Sequence, residues 1–477
     1  MSTDNEVCFM SARSLAEALR DRDVSAREVM SAFLAQIGRV NPKINAIVAK
    51  LDDSECIALA DQADRHLARG DSAGPLHGLP FAFKDLDPAV GFPQTRGSPI
   101  FKDFMPAHDS VVVERLKGAG VIPLGKTNVS EFGMGSHTYN EVYGTTLNPY
   151  DLTRSAGGSS GGAGAALAAG LLPLASGSDL GGSLRNPANF NNVVALRPTV
   201  GLVPSAPTAM PFLGFTVKGP MARSVQDVAF LLSAMAGADP RDPACYPSDP
   251  AMFAKRLDRN FKGVRVAWCP DLGGLPLDRR VRLVLQAQRK TFEDLGCIVE
   301  GVCPDLSGAD EIFLTIRAWN YWHTLGPLLE SHRAQMKAEA VWQIESGSKL
   351  SGSDVANAMS RHGELLDRFR GFQEKYEFLI CAVNQLPPFD AALSWPKEID
   401  GVVMDNYLSW MKTAYWITPT FCPAISVPAG FTNDGLPTGI QIVGRYRDDF
   451  GVLQIAYAFE QATGFGKTKP TIAVDHF

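Results

Sequence analysis

The sequence predicts an α/β fold: a single large domain with a mixed, largely parallel β-sheet covered by helices. Three observations predict it. Helix-spaced apolar runs alternate with short apolar strands along most of the chain, as when helices pack on a sheet. With 477 residues, the chain is long enough to bury a large core. Its 45% hydrophobic and 20% charged composition, with a formal net charge of −6, is that of an ordinary globular protein. That charge balance offers no basic surplus for nucleic acid, which is therefore not an expected partner.

The elements follow in order. Met30, Phe33, Leu34 and Ile37 recur at helical spacing behind Ser25, which reads as an N-cap, and this helix is expected to stop near Asn41-Pro42. A second helical run, 52–69, ends at Gly70. GPLHGLPFAFKDL reads as a turn followed by a short buried strand, and GVIPLG as another strand. GPMARSVQDVAFLLSAMAG reads as a helix, and the Pro/Asp-rich segment 239–250 as a subdomain border. GVRVAWCPD resumes as a strand. From 311 to 376 the chain is mainly helical, with Ile312, Ile316, Trp319 and His323 on one face and Leu365, Phe369, Phe372 and Tyr376 on another. FLICAVNQLPPF returns to strand and loop, and PAISVPAGF and GIQIVGR resemble a hairpin turning at Asn433-Asp434-Gly435.

The polar N-terminus lacks the apolar region of a signal peptide, and no stretch reaches the roughly 18 apolar residues of a membrane span. A cytoplasmic protein that does not enter membranes is expected. The cysteines (Cys8, Cys56, Cys245, Cys269, Cys297, Cys303, Cys381, Cys422) show no metal-ligand spacing, so free thiols and no structural metal are expected. Cys297 and Cys303 are nearest in sequence, and read as a coincidence of core and loop.

The chemistry concentrates between Arg154 and Ala188, RSAGGSSGGAGAALAAGLLPLASGSDLGGSLRNPA, where two serine-bearing glycine clusters flank an Ala-rich run. Glycines let backbone approach a reacting group without Cβ obstruction. Ser183 follows the apolar run Leu171–Leu174 and a glycine turn, so the N–H groups of Leu180, Gly181, Gly182 and Ser183 could converge as an oxyanion hole. The alternative is a tight turn capped by serine. Ser159 and Ser160 open the helix AGAALAAG, one hydroxyl for catalysis and one for hydrogen bonding; a Gly/Ser linker is the alternative. None of the eight histidines lies in a nucleophile-elbow motif. Lys84, ending the apolar segment of Leu79, Phe81 and Phe83, is the candidate base, because burial disfavours its charged form. Otherwise it is a strand-terminal lysine reaching solvent.

GLPFAFKDL, AGGSSGGAGAALAAG and SGSDLGGSLRNPA, in this order, resemble the amidase signature family of Ser-Ser-Lys hydrolases, specifically its stand-alone bacterial amidases. The spacing is similar too: 183 − 159 = 24 residues separate the serines. GTTLNPYD, LRPTVGLVPS, GPMARS, PAISVPAGF and GLPTGIQIVGR extend the resemblance over most of 10–465.

The resemblance implies the amidase signature fold and a metal- and cofactor-independent hydrolysis of a small carboxamide. Ser183 is then the acyl-forming nucleophile, Ser159 the proton relay, in a cis peptide linkage, and Lys84 the base. Leu180, Gly181, Gly182 and Ser183 correspond to the oxyanion hole, Ser160, Asp179 and Arg185 to supporting positions, and Gly133 and Met134 to the neighbourhood of the acyl group. Trp319, Trp322 and Phe389 fall in the variable part that lines the substrate entrance, where aromatics wall an apolar or aryl pocket or simply belong to the core. The chain departs from the pattern at Asn191-Asn192 and Ala195, outside the triad.

Four segments of one domain are expected: 1–70, helical and packed on the core; 71–240, the signature core with Lys84, Ser159 and Ser183; 241–390, variable and largely helical; and 391–477, returning to the sheet. Three other readings stay open. One is the glutaminase subunit of a tRNA-dependent amidotransferase, another a urea- or allophanate-type hydrolase, and the third a silent binding protein of the same fold. An esterase side activity and a homodimer are compatible with the sequence.

Overall fold

Helices enter the fold through side-chain caps. In the computed structural model, which describes residues 4–71 and 73–474, Ser11 caps helix Ala12–Asp21 and Ser25 caps helix Ala26–Ile44, the latter through a reciprocal capping box with Glu28. The second helix runs through Pro42 instead of stopping there. Pro42 lies in the last turn, where its missing N–H forfeits little, and Asn45 closes the helix in a left-handed conformation. Helix Asp53–Ala68 follows as expected.

Two sheets place the chemistry. The smaller orders Ile47–Val48, Ile122–Thr127 and Pro80–Lys84, the last two strands parallel with Lys84 opposite Thr127. All of Pro80–Lys84 is buried, because it also packs against strand Leu174–Asp179 of the larger sheet. That contact carries Lys84 to the serine clusters.

The larger sheet has eight strands, in the order Ile298–Glu300, Arg265–Trp268, Phe378–Ala382, Pro437–Val443, Ala424–Phe431, Val194–Arg197, Val217–Ala222 and Leu174–Asp179. It is mixed, and covered by helices. Five strands share one direction, yet only those around Arg265–Trp268 pair in parallel. Short connections set the remaining pairs antiparallel, as in the hairpin of Ala424–Phe431 with Pro437–Val443. Strand Leu174–Asp179 begins at the end of the apolar run Leu171–Leu174, and takes in Gly177 and Ser178, for which a turn was expected. Similarly, GPMA belongs to strand Val217–Ala222, and the helix is Val225–Met235.

The expectation of free thiols fails at one pair: Cys269 and Cys303 form a disulfide with Cα atoms 5.1 Å apart. The cause is topological. Strands Arg265–Trp268 and Ile298–Glu300 are parallel neighbours with Ala267 opposite Glu300, so the cysteines beyond their ends meet. Cys297, nearer in sequence, remains a buried thiol. Among the described residues, no helix is long and apolar enough to cross a membrane.

Candidate active site

Lys84 is fully buried at the end of its strand. Its Nζ lies 2.9 Å from Ser159 Oγ, 2.8 Å from Ser160 Oγ, 3.0 Å from Ser178 Oγ and 3.4 Å from the Ser178 carbonyl. Every partner is neutral. Burial therefore dominates, and against the attraction of Asp87 it brings the amine down to about 7. Asp87 does not neutralise it by contact, because that carboxylate is ion-paired with Lys218.

Ser159 and Ser160 stand at the mouth of the buried helix Gly161–Ala168, and the Gly158–Ser159 peptide is cis. The Ser160 N–H donates to the Ser183 carbonyl at 3.3 Å, which ties the two serine clusters together. Burial is graded along the set: Lys84 is 0% exposed, Ser159 1% and Ser183 8%. The most exposed of the three, Ser183, is the one that lines a cavity.

The turn holding Ser183 has its carbonyls occupied. Leu180 O accepts from Thr418 Oγ1 at 2.6 Å, Gly181 O from Asn186 Nδ2 at 3.5 Å, Gly182 O from the Asn186 N–H at 2.7 Å, and Ser183 O from Ser160. Since a trans peptide points its N–H opposite its carbonyl, anchoring these oxygens also aims the N–H groups. The Gly182 N–H goes to Asp179 Oδ1 at 2.9 Å. Among the described residues, those of Leu180, Gly181 and Ser183 have no partner. Gly182 has φ of +104°, and a Cβ there would lie 2.6 Å from both the Ala414 methyl and the Asn186 amide, so both conformation and space require glycine.

Asp179 organises this turn from beneath. Arg185 binds it through two nitrogens at 3.0 and 2.9 Å, and Arg197 Nη1 reaches its carbonyl at 2.6 Å and its Oδ1 at 3.3 Å. Burial alone would raise its carboxyl, but the two guanidiniums outweigh burial and hold it well below the usual range. Arg185 extends the network to the Ala414 carbonyl at 2.7 Å and Gln441 at 2.6 Å.

Ser183, Leu180 and Gly181 open on a narrow cavity lined also by Gly133, Gly135, Ser136, Phe313, Arg317, Tyr321, Leu408 and Met411. Gly133 has φ of +73°, and a Cβ on it would stand 3.5 Å from Ser159 Oγ. Met134 is buried and lines the adjoining recess with His137 and Trp410. The expected aromatics lie elsewhere. Trp319 lines a separate cleft with Leu350 and Met359, and Trp322 is 40% exposed. Phe389 is core, packed on His137, Phe190 and Trp410 with ring centroids 5.4, 6.1 and 5.2 Å away.

No histidine lines the cavity among the described residues; His476 lies outside them. His137 bonds Ser155 Oγ at 2.7 Å and the Ala391 carbonyl at 3.0 Å, and burial lowers it to about 4, which suits a structural brace. Asn191 and Asn192 also brace backbone, at the Ala156 and Phe465 carbonyls respectively.

The residues that sequence reasoning missed had a signal. Phe313, Arg317 and Tyr321 fall at i, i+4 and i+8 of helix Ala309–His332, a stripe one residue away from the one followed. Ser178, Asn186 and Arg197 sat inside the quoted motifs without a role.

Comparison with known proteins agrees with this architecture. The Amidase family model matches residues 28–453. An acylamidase of Rhodococcus erythropolis is 36% identical, covering 98% of each chain, and a glutamyl-tRNA(Gln) amidotransferase subunit from Geobacillus thermodenitrificans is 33% identical over 95% of this chain and 97% of its own. Among solved structures, a bacterial aryl acylamidase of the amidase signature family superposes with a TM-score of 0.90 at 27% identity, covering 97% of this chain and 98% of that one. A 6-aminohexanoate cyclic dimer hydrolase gives 0.86 at 27%, covering 98% and 100%. The chain therefore belongs to the amidase signature family, and is a hydrolase acting on carboxamide bonds of small amides.

Proposed function

We propose that this amidase cleaves its substrate through an acyl-enzyme on Ser183, with Ser159 as proton relay and Lys84 as base. The observation that carries the reading is the Lys84 amine, buried, 2.9 Å from Ser159 Oγ and brought to about 7. Neutral Lys84 takes the Ser159 proton while Ser159 takes that of Ser183, whose Oγ bonds to the amide carbon. The carbonyl electron pair moves to oxygen, where the Leu180, Gly181 and Ser183 N–H groups stabilise it. As the C–N bond breaks, the proton returns through Ser159 to the departing amine. Water then enters by the same relay and releases the acid.

The substrate reading is a small amide with an apolar or aromatic portion. Phe313, Tyr321, Leu408 and Met411 support it, because they supply such walls beside Ser183. The test is intact mass after reaction with a fluorophosphonate. A single adduct on the native protein, absent from folded Ser183→Ala, is expected. An adduct that persists in Ser183→Ala, or none on the native protein, overturns the assignment.

A further inference from the structure

We propose that Arg317 determines specificity by binding a carboxylate carried on the amide substrate, an inference that rests on the amide-hydrolase reading above. Three arginines are buried among the described residues: Arg185, Arg197 and Arg317. The first two share Asp179. Arg317, 4% exposed, forms no ion pair with any described carboxylate, and it lines the cavity of Ser183.

The direct partners of Arg317 are neutral. Its Nη1 donates to Gln343 Oε1 and, at 2.8 Å, to the Tyr407 hydroxyl. The Tyr321 and Tyr407 rings lie 4.8 and 5.5 Å from its guanidinium carbon. Among the described residues, the hydrogen bonds of its guanidinium run through Nη1. Acidic groups on the surrounding elements are engaged with other residues. Asp310 holds Lys412 at 3.0 Å, the Tyr415 hydroxyl at 2.5 Å and Trp416 Nε1 at 3.2 Å; Glu339 meets the Tyr139 hydroxyl at 3.4 Å, and Glu131 the Lys337 N–H at 2.9 Å.

A guanidinium removed from water without a counter-charge is a costly arrangement, and positioning one tyrosine and one glutamine does not call for a cation. Aromatic faces soften the cost while leaving the planar donor edge free for a carboxylate. Apolar walls at Leu180, Phe313, Leu408 and Met411 strengthen such a pair by excluding water. The substrate is thus an amide with apolar bulk and one anionic group, on either its acyl or its amine part.

Two isosteric substrate pairs test this on the full-length protein. One compares succinyl with isocaproyl para-nitroanilide, which exchanges a carboxylate for an isopropyl group on the acyl side. The other compares the butyryl anilides of meta-aminobenzoate and meta-isopropylaniline, which makes that exchange on the amine side. The native enzyme should favour the carboxylated member of one pair by about tenfold or more in kcat/KM. Arg317→Met should erase that preference through KM, leaving the uncharged member within about threefold, and Arg317→Lys should restore part of it.

No preference in either pair overturns the proposal, and so does an equal loss on both members in Arg317→Met, the signature of a purely structural role. Fluorophosphonate labelling of Ser183 in each variant separates the two readings. Labelling without turnover of either pair sinks the Arg317 proposal alone, whereas absence of a Ser183-dependent adduct on the native protein sinks the hydrolytic assignment beneath it.

Discussion

At the residue scale, the proposed relay turns on one proton. Lys84 is surrounded by hydroxyls and a carbonyl that can hydrogen-bond to either form of the amine, so burial sets the balance and lowers it to about 7. Below that pH the amine is an ammonium and cannot accept the Ser159 proton; above it the amine is neutral. The kcat/KM profile should therefore rise with pH through a midpoint near 7, and a profile flat from 6 to 8 would rule out Lys84 as the starting base. Lys84→Ala should lower turnover by about a thousandfold or more, with Ser159→Ala comparable and the two losses non-additive. Lys84 was legible in the sequence because it ended an apolar run. Ser178 was not, because a serine in a glycine-rich stretch gives no sign that its strand faces the lysine.

At the scale of elements, Asp179 joins the end of strand Leu174–Asp179 to helix Arg185–Phe190 and strand Val194–Arg197. Its two oxygens also receive the Gly182 and Leu184 N–H groups at 2.9 and 3.2 Å, so one carboxylate fixes the turn of Ser183. Asp179→Asn leaves two buried guanidiniums without a counter-charge and should cost about 3 to 5 kcal/mol of stability, measured by urea unfolding at neutral pH. A loss below about 1 kcal/mol would show that the cluster contributes little. The sign with pH follows from the depressed carboxyl: the stabilisation is complete above its ordinary 3.8 and withdrawn only in stronger acid. The Asp179–Arg185 pair could be read from a short sequence interval. Arg197 required the sheet, because it reaches Asp179 past the intervening strand Val217–Ala222, a placement that no local pattern encodes.

At the scale of the whole molecule, the proposed relay and the cavity wall draw on different parts of the core. Lys84 comes from the small sheet, Ser159 from the mouth of helix Gly161–Ala168 and Ser183 from the turn that follows the edge strand Leu174–Asp179 of the large sheet, beside the main hydrophobic core of Phe81, Phe83, Leu167 and Leu174. Much of the cavity wall belongs to a second cluster holding Phe313, Leu408, Met411 and Tyr415, supplied by helix Ala309–His332 and the approach to the last hairpin. That division explains what the sequence conveyed. The candidates Lys84, Ser159 and Ser183 each lie in a short local motif, whereas the wall assembles residues about a hundred positions apart, so no local pattern singles out Phe313 and Tyr321 over Trp319 and Trp322. It also predicts that the proposed relay and the cavity wall can be altered separately. Met411→Ala enlarges the cavity without touching Lys84, Ser159 or Ser183 by any hydrogen bond. The variant should label with a small fluorophosphonate at a rate within about threefold of native, yet shift its relative kcat/KM toward bulkier acyl groups by about tenfold. Rates across a graded series of acyl anilides decide it, since parallel losses in labelling and in every member of the series would mean that the wall and the relay act as one unit.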